Sequence, residues 1–156
     1  MSSDEEYNVA ILSRSVSEDE SEQFKVTSLV RKCHENAITQ ILALSDNIRR
    51  LSFVTMSIDG YMKILADDGT VENSIEGKGM ILNGCVIPNR QDFFAVSSFN
   101  DESEKNHVTI YRRQMEKKDL DSFAQNVLDL KMSSIGNVLW VPTDLFALQR
   151  VTLQDL

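Results

Sequence analysis

Apolar and polar positions alternate along this chain in short runs that stop at turn residues, and few stretches follow a helical period. The run Leu51–Ile58 sets Leu51, Phe53, Thr55 and Ser57 on one side of an extended chain and Ser52, Val54, Met56 and Ile58 on the other. Both sides are largely apolar, which fits a strand covered on both faces. The polar break Ser45–Arg50 separates it from a preceding run, Ala37–Leu44. Asp59-Gly60 then leads into Tyr61–Leu65. Gly tolerates the positive φ of a primed turn, so Asp-Gly between two β-prone runs predicts a hairpin. Asp67-Asp68-Gly69 turns the chain once more, ahead of a short polar strand, Thr70–Ile75.

The pattern restarts after Gly77-Lys78-Gly79. Met80–Ile87 ends at Pro88-Asn89, a strong turn pair, and is followed by Phe93–Phe99, a loop Asn100–Asn106, His107–Arg112 and Asp119–Ala124. A third start predicts strands at Val127–Met132, Val138–Thr143, Leu145–Leu148 and Val151–Leu153. Two strands precede the first unit. Tyr7–Arg14 is apolar, and Phe24–Val30 alternates, with Phe24, Val26, Ser28 and Val30 on one face and Lys25, Thr27 and Leu29 on the other. Corresponding positions recur at 41 residues (Phe53 to Phe94), 45 (Phe94 to Leu139) and 46 (Leu65 to Tyr111). Such a period, with four short strands in each unit, predicts an all-β fold of repeated four-stranded sheets. An ordinary β-sandwich with turns at close intervals also fits several short strands and is the alternative reading; the period favours the repeated sheets. Lys117–Leu130 conflicts with the repeat, because Leu120, Phe123, Val127 and Leu130 also fit an amphipathic helix; the repeat argues for strands.

The unit from His34 to Ala66 resembles a WD repeat, the four-stranded blade of a β-propeller. His34 precedes the first strand, Ser57 lies on the second and Asp59 in the following turn, where that family places a hydrogen-bonded His, Ser or Thr, and Asp. Leu65 stands at the family's Trp and Ala66 at its final Asp. The resemblance implies a partial β-propeller of about three to four WD-like blades over residues 7–156, with His34, Ser57 and Asp59 as a structural hydrogen-bond set. It further implies a non-enzymatic scaffold for protein–protein interactions within a multiprotein complex. Closed propellers have typically 4–8 blades. A part-ring leaves apolar blade faces open, to be covered by a protein partner that supplies the missing blades, by self-association, or by more of a longer WD-repeat protein. The other class the resemblance allows is an enzyme or small-ligand binder working in a propeller's central channel.

Composition narrows the function. With 42% hydrophobic and 26% charged residues, the 156-residue chain reads as a globular protein with a core. The net charge of −8 is concentrated at the start: residues 1–22 hold seven acids against Arg14 alone, and the rest is near neutral. No basic field exists to draw nucleic acid or an anionic membrane. Residues 1–6 read as an acidic tail, and residues 15–23 as an acidic loop between the first two strands. Cys33 and Cys85 are too few for a disulfide framework, which points to a reducing cytoplasmic or nuclear location.

Candidate chemistry is sparse. His34 adjoins Cys33, but neighbouring residues on a strand usually point apart and no third ligand is placed. His107 lies beside an acidic loop, as expected of a surface residue. Asp67-Asp68-Gly69 and Asn100-Asp101-Glu102 lack the alternating oxygen ligands of a calcium loop and read as turns. No catalytic, cofactor or metal site is expected. Ser15 and Ser17 each have an acid three residues on, Glu18 and Glu20, the pattern of an acid-directed kinase site; the alternative is a solvated loop that only aids solubility. Tyr111 and Trp140 are either packing residues or candidate interface aromatics, since large aromatics dominate interface hot spots.

Overall fold

The computed structural model describes residues 7–16, 22–45, 51–88, 93–113, 117–123, 130–132, 138–142 and 148–152. Thirteen strands and no helix are found among them. The strands form four antiparallel sheets in chain order. The first pairs β1 (Tyr7–Val16) with β2 (Glu22–His34). The second runs β3 (Ile38–Ser45), β4 (Leu51–Ser57), β5 (Tyr61–Ala66), β6 (Val71–Glu76). The third repeats that order with β7 (Met80–Val86), β8 (Phe93–Asn100), β9 (Lys105–Arg112) and β10 (Lys117–Phe123). The fourth contains β11 (Lys131–Met132), β12 (Val138–Pro142) and β13 (Leu148–Thr152).

The sheets stack face to face, so the middle two are buried on both sides. Val54, Met56, Met62 and Ile64 of the second sheet meet Ile81, Phe94, Val96 and Tyr111 of the third. The opposite face of the third, with Ala95, Val108 and Ile110, packs on Leu130 and Leu139. On its other side the second sheet presents Leu65, with Phe53 and Ile38 at the border, to Val9, Cys33 and Val30 of the first. Each such aliphatic side chain, fully buried, contributes about 1.5–3 kcal/mol relative to exposure. The inner strands are also joined by polar bonds: Thr39 Oγ1 donates to the Ile81 carbonyl at 3.1 Å, and the Gly84 amide donates to Gln40 Oε1 at 2.6 Å.

Several strands differ from the sequence reading. β1 and β2 run into the supposed acidic loop, because the ladder continues through Ser15↔Gln23 and Val16↔Glu22. Only residues 17–21 connect them, and these, with the acidic tail 1–6, lie outside the described residues. Within β2 a bulge interrupts the alternation, since Ile11 pairs with Ser28 but Leu12 pairs with Val26. One extra residue flips every side chain beyond it. Phe24 and Val26 therefore share the face of Leu29, not that of Ser28 and Val30. Lys117–Phe123 is a strand because it pairs along β9 from Lys117↔Tyr111 to Phe123↔Asn106; residues 124–129 lie outside the described ones. At the end of the chain one strand, β13, occupies the place expected of two, because Val138–Pro142 pairs continuously with Leu148–Thr152.

Candidate functional site

A second bulge builds the polar centre of the molecule. Tyr7 pairs with His34 but Val9 with Val30, so β2 carries extra residues at this point. Lys32 takes up the change with φ 49°, and its amide donates to Asn8 Oδ1 at 2.9 Å. As a result Cys33 and His34, expected to point apart, both reach Thr55 in the middle of β4. His34 Nε2 lies 2.8 Å from Thr55 Oγ1 and Cys33 Sγ lies 3.8 Å from it. His34 Nδ1 is 3.0 Å from Asp59 Oδ2. The neutral tautomer protonated on Nδ1 satisfies both contacts: it donates to the carboxylate and accepts from the threonine hydroxyl.

Asp59 sits in the β4–β5 turn and gathers three donors. Its Oδ2 also accepts from the Glu35 amide at 2.9 Å, and its Oδ1 from the Tyr61 amide at 2.9 Å. It thereby ties the β2–β3 connection to the β4–β5 turn. Ser57 stands one step away: its hydroxyl donates to the Asn36 carbonyl at 3.0 Å and accepts from the Asp59 amide at 3.1 Å. The hydroxyl that faces His34 is thus Thr55, which the sequence reading did not single out. Both residues lie on one face of β4, and only strand depth separates them. Thr55 lies opposite Lys63 in mid-sheet, whereas Ser57 is the last residue of the strand.

Electrostatics follow from burial. The His34 side chain is fully buried, and this pushes its pKa below the ordinary value, against the pull of Asp59 toward the charged form. Burial alone would raise the Asp59 carboxyl, but the amides of Tyr61 and Glu35, with the imidazole, hold it below the usual range. Burial pushes the Cys33 thiol up, opposed by its bond to Thr55, which disfavours the reactive thiolate. A nucleophile, a base and an orienting acid are in line here, yet Thr55, His34 and Cys33 are closed off between two sheets. The set is a clamp between sheets. A pH dependence follows. The unfolded chain protonates His34 near its ordinary pKa of about 6.5 while the folded chain resists. This contribution is complete above that pH and is lost as the pH falls below it. Urea unfolding from pH 7.5 to 5.5 is expected to show falling stability, with a flatter slope in His34→Gln; equal slopes would mean that His34 titrates alike in both states.

The third sheet replaces the clamp by other chemistry. Val96 and Tyr111 stand at the places of Thr55 and Leu65, counted from the paired positions Phe53 and Phe94. Asn100 takes the turn position of Asp59. Its Nδ2 donates to the Lys78 carbonyl at 3.0 Å and its Oδ1 accepts from the Ser103 amide at 2.8 Å. An amide both donates and accepts, so it holds the same two loops without a histidine.

The remaining candidates separate clearly. Tyr111, named as an interface aromatic, is 1% exposed. Its ring stacks on Phe94 with centroids 5.8 Å apart, so it packs between sheets and is not available to a partner. Trp140 pairs through its backbone with Lys131 and Arg150 in β12, and its side chain lies outside the described residues, as does Ser17. Ser15 is exposed on β1. A cleft of about 250 Å³ lies between the second and third sheets, lined by Leu51, Asp67, Asp68, Thr70, Glu72 and Arg113. Arg113 and Glu72 bridge it at 2.7 Å, and Asp68 Oδ1 caps its own turn by accepting from the Thr70 amide.

Solved structures share this arrangement. A chain of an active polycomb repressive complex 2 in the basal state superposes with a TM-score of 0.73 at 13% identity, covering 96% of this chain and 33% of that one. The polycomb repressive complex 2 of Chaetomium thermophilum gives 0.68 at 12% identity, over 94% of this chain and 31% of that one. The C-terminal WD40 domain of Sif2 gives 0.63 at 16%, over 92% and 43%. The chain therefore spans less than half the length of each. No family model matches it, and no curated protein does. With the four stacked sheets, these likenesses establish the fold: the chain is a partial β-propeller, similar to the WD40 domain of Sif2.

Proposed function

We propose that this chain is a non-enzymatic interaction scaffold, a propeller segment that works within a multiprotein complex in the cytoplasm or nucleus. The observation that carries this reading is the open end of the stack. β1 and β2 form a sheet of two strands where the next two sheets have four, and large apolar side chains remain exposed there. An exposed apolar patch on a folded chain marks a surface that another molecule covers. The structures it resembles include those of a multiprotein complex. The sealed histidine clamp offers no reacting group to a substrate.

Ser15 and Ser17 belong to the same reading as modification sites. Phosphate on either adds about −1.5 to −2 charges beside an already acidic connection, which strengthens docking on a basic surface. The complex purified from its source cells is expected to have a native mass above that of the chain alone. Changing Ser15 and Ser17 to Ala is expected to leave the thermal midpoint unchanged while weakening a salt-sensitive interaction in that complex. A stable monomer at high concentration that holds no partner would sink the scaffold reading; unchanged affinity at low ionic strength would remove the two serines from it.

A further inference from the structure

Two Asp-Gly pairs close hairpins in the second sheet, Asp59-Gly60 between β4 and β5 and Asp68-Gly69 between β5 and β6. Their backbones match. The Gly60 amide donates to the Ser57 carbonyl at 3.2 Å and the Gly69 amide to the Ala66 carbonyl at 3.0 Å. The two glycines have φ 88° and 87°. Each aspartate thus stands at the same place in a four-residue turn, just before a glycine in the left-handed region. In such a pair the aspartyl carboxyl is open to attack by the next amide, because glycine puts no side chain beside that nitrogen. What differs between the two turns is the hold on the carboxylate.

Asp59 is tied across the fold. Its Oδ2 meets the Glu35 amide and His34 Nδ1, and its Oδ1 meets the Tyr61 amide. Its side chain is 8% exposed. Attack expels the carboxyl hydroxyl and so needs the protonated acid, whereas these donors favour the carboxylate. They also keep Cγ from swinging toward the Gly60 nitrogen. Asp68 is exposed, and its Oδ1 accepts from the Thr70 amide at 2.8 Å, only two residues on. That bond lies within the turn and opens with it, and exposed turns open locally at low cost.

We propose that Asp68-Gly69 is a site of spontaneous backbone modification, the isomerisation of aspartate to isoaspartate, from which the matching pair Asp59-Gly60 is protected by its hydrogen bonds. The Gly69 nitrogen bonds to Asp68 Cγ, and the carboxyl hydroxyl leaves with the amide proton as water. A second water opens the resulting five-membered imide. Opening at Cγ restores aspartate. Opening at the main-chain carbonyl leaves the chain running through Cγ, with one more methylene in the backbone and no net change in composition. The surroundings make that methylene felt. A Cβ on Gly69 would already collide with Ser28 Oγ and stand 3.2 Å from Val30 Cγ2. The lengthened turn therefore pushes on β2, whose Val30 joins the first sheet to the second.

The test incubates the full chain for weeks at physiological temperature in water enriched in oxygen-18, then digests it in ordinary water. Trypsin cuts after Arg50, Lys63 and Lys78, so the two pairs fall in separate peptides, residues 51–63 and 64–78. Each opening of the imide leaves one heavy oxygen at the aspartate, and electron-transfer fragmentation distinguishes isoaspartate from aspartate. Residue 68 is expected to gain both marks about tenfold or more faster than residue 59, whose three donors must first be given up. In guanidinium chloride, where those bonds are gone, the two rates are expected to converge. The isoaspartyl fraction, separated from its parent, is expected to exchange the amides of Ser28–Val30 faster. Equal rates in the folded chain, or no isoaspartate at residue 68, overturn the proposal. A difference that persists in guanidinium chloride also overturns it, because flanking sequence would then account for the contrast. Unchanged exchange in β2 overturns the effect on the hairpin.

Discussion

Replacing Asp59 by Ala lowers the unfolding free energy by about 3 kcal/mol, because three donors lose their acceptor at once and the imidazole among them is closed off from water. The amides of Glu35 and Tyr61 can recover part of the loss through solvent, being exposed at the turn. His34 cannot, since its other nitrogen is held by Thr55. The informative variant is Asp59→Asn. Asparagine does the corresponding work at position 100, where it faces one carbonyl and one amide. At position 59 its NH2 would face either the Tyr61 amide or the pair formed by Glu35 N–H and His34 Nδ1–H, so donor meets donor. Urea unfolding is therefore expected to place Asp59→Asn close to Asp59→Ala. If Asp59→Asn unfolds with the parent, the carboxylate is not the hub of this turn, and the clamp is held by Thr55 alone.

The contrast between Asp59 and Asn100 also shows how much of this molecule can be read from its sequence. Two-sided apolar runs, Asp-Gly turns and a period above 40 residues specify stacked sheets, because each is a local consequence of burying a strand on both faces. The pairing of His34 with Asp59 across 25 positions is legible only through the resemblance to a WD repeat, and the structure places Nδ1 3.0 Å from Oδ2. Local logic alone stops short of it, and fails where geometry depends on pairing between strands. The bulge at Lys32 turns Cys33 and His34 toward one threonine, and the bulge opposite Ile11 moves Phe24 and Val26 to the open face. Neither has a mark in composition, since Lys32 is a non-glycine residue at positive φ and Thr27 is an ordinary strand former. Choosing Thr55 over Ser57 required the depth of each along β4. Tyr111 had two readings until its stacking partner Phe94 was in place.

Gly79→Ala is the other change expected to cost about 3 kcal/mol, and it acts through backbone alone. Gly79 has φ 129°, which L side chains rarely adopt. A Cβ added there would collide with the Phe99 carbonyl and stand 2.9 Å from the Asn100 Cα. Neither obstacle is the flexible end of a side chain. Relief requires moving the end of β8, and with it Asn100, whose amide holds Lys78 and Ser103. Gly60 supplies the comparison, because it too has positive φ, 88°, but an added Cβ would meet only the Gly79 carbonyl at 3.3 Å. Gly60→Ala carries the conformational cost without the collision, about 1–2 kcal/mol. The difference between the two variants in urea unfolding thus isolates the close approach of the β6–β7 connection to the end of β8. Equal losses would mean that β8 yields freely at Phe99, and that the Asn100 link does not hold the third sheet's loops together as Asp59 holds the second's.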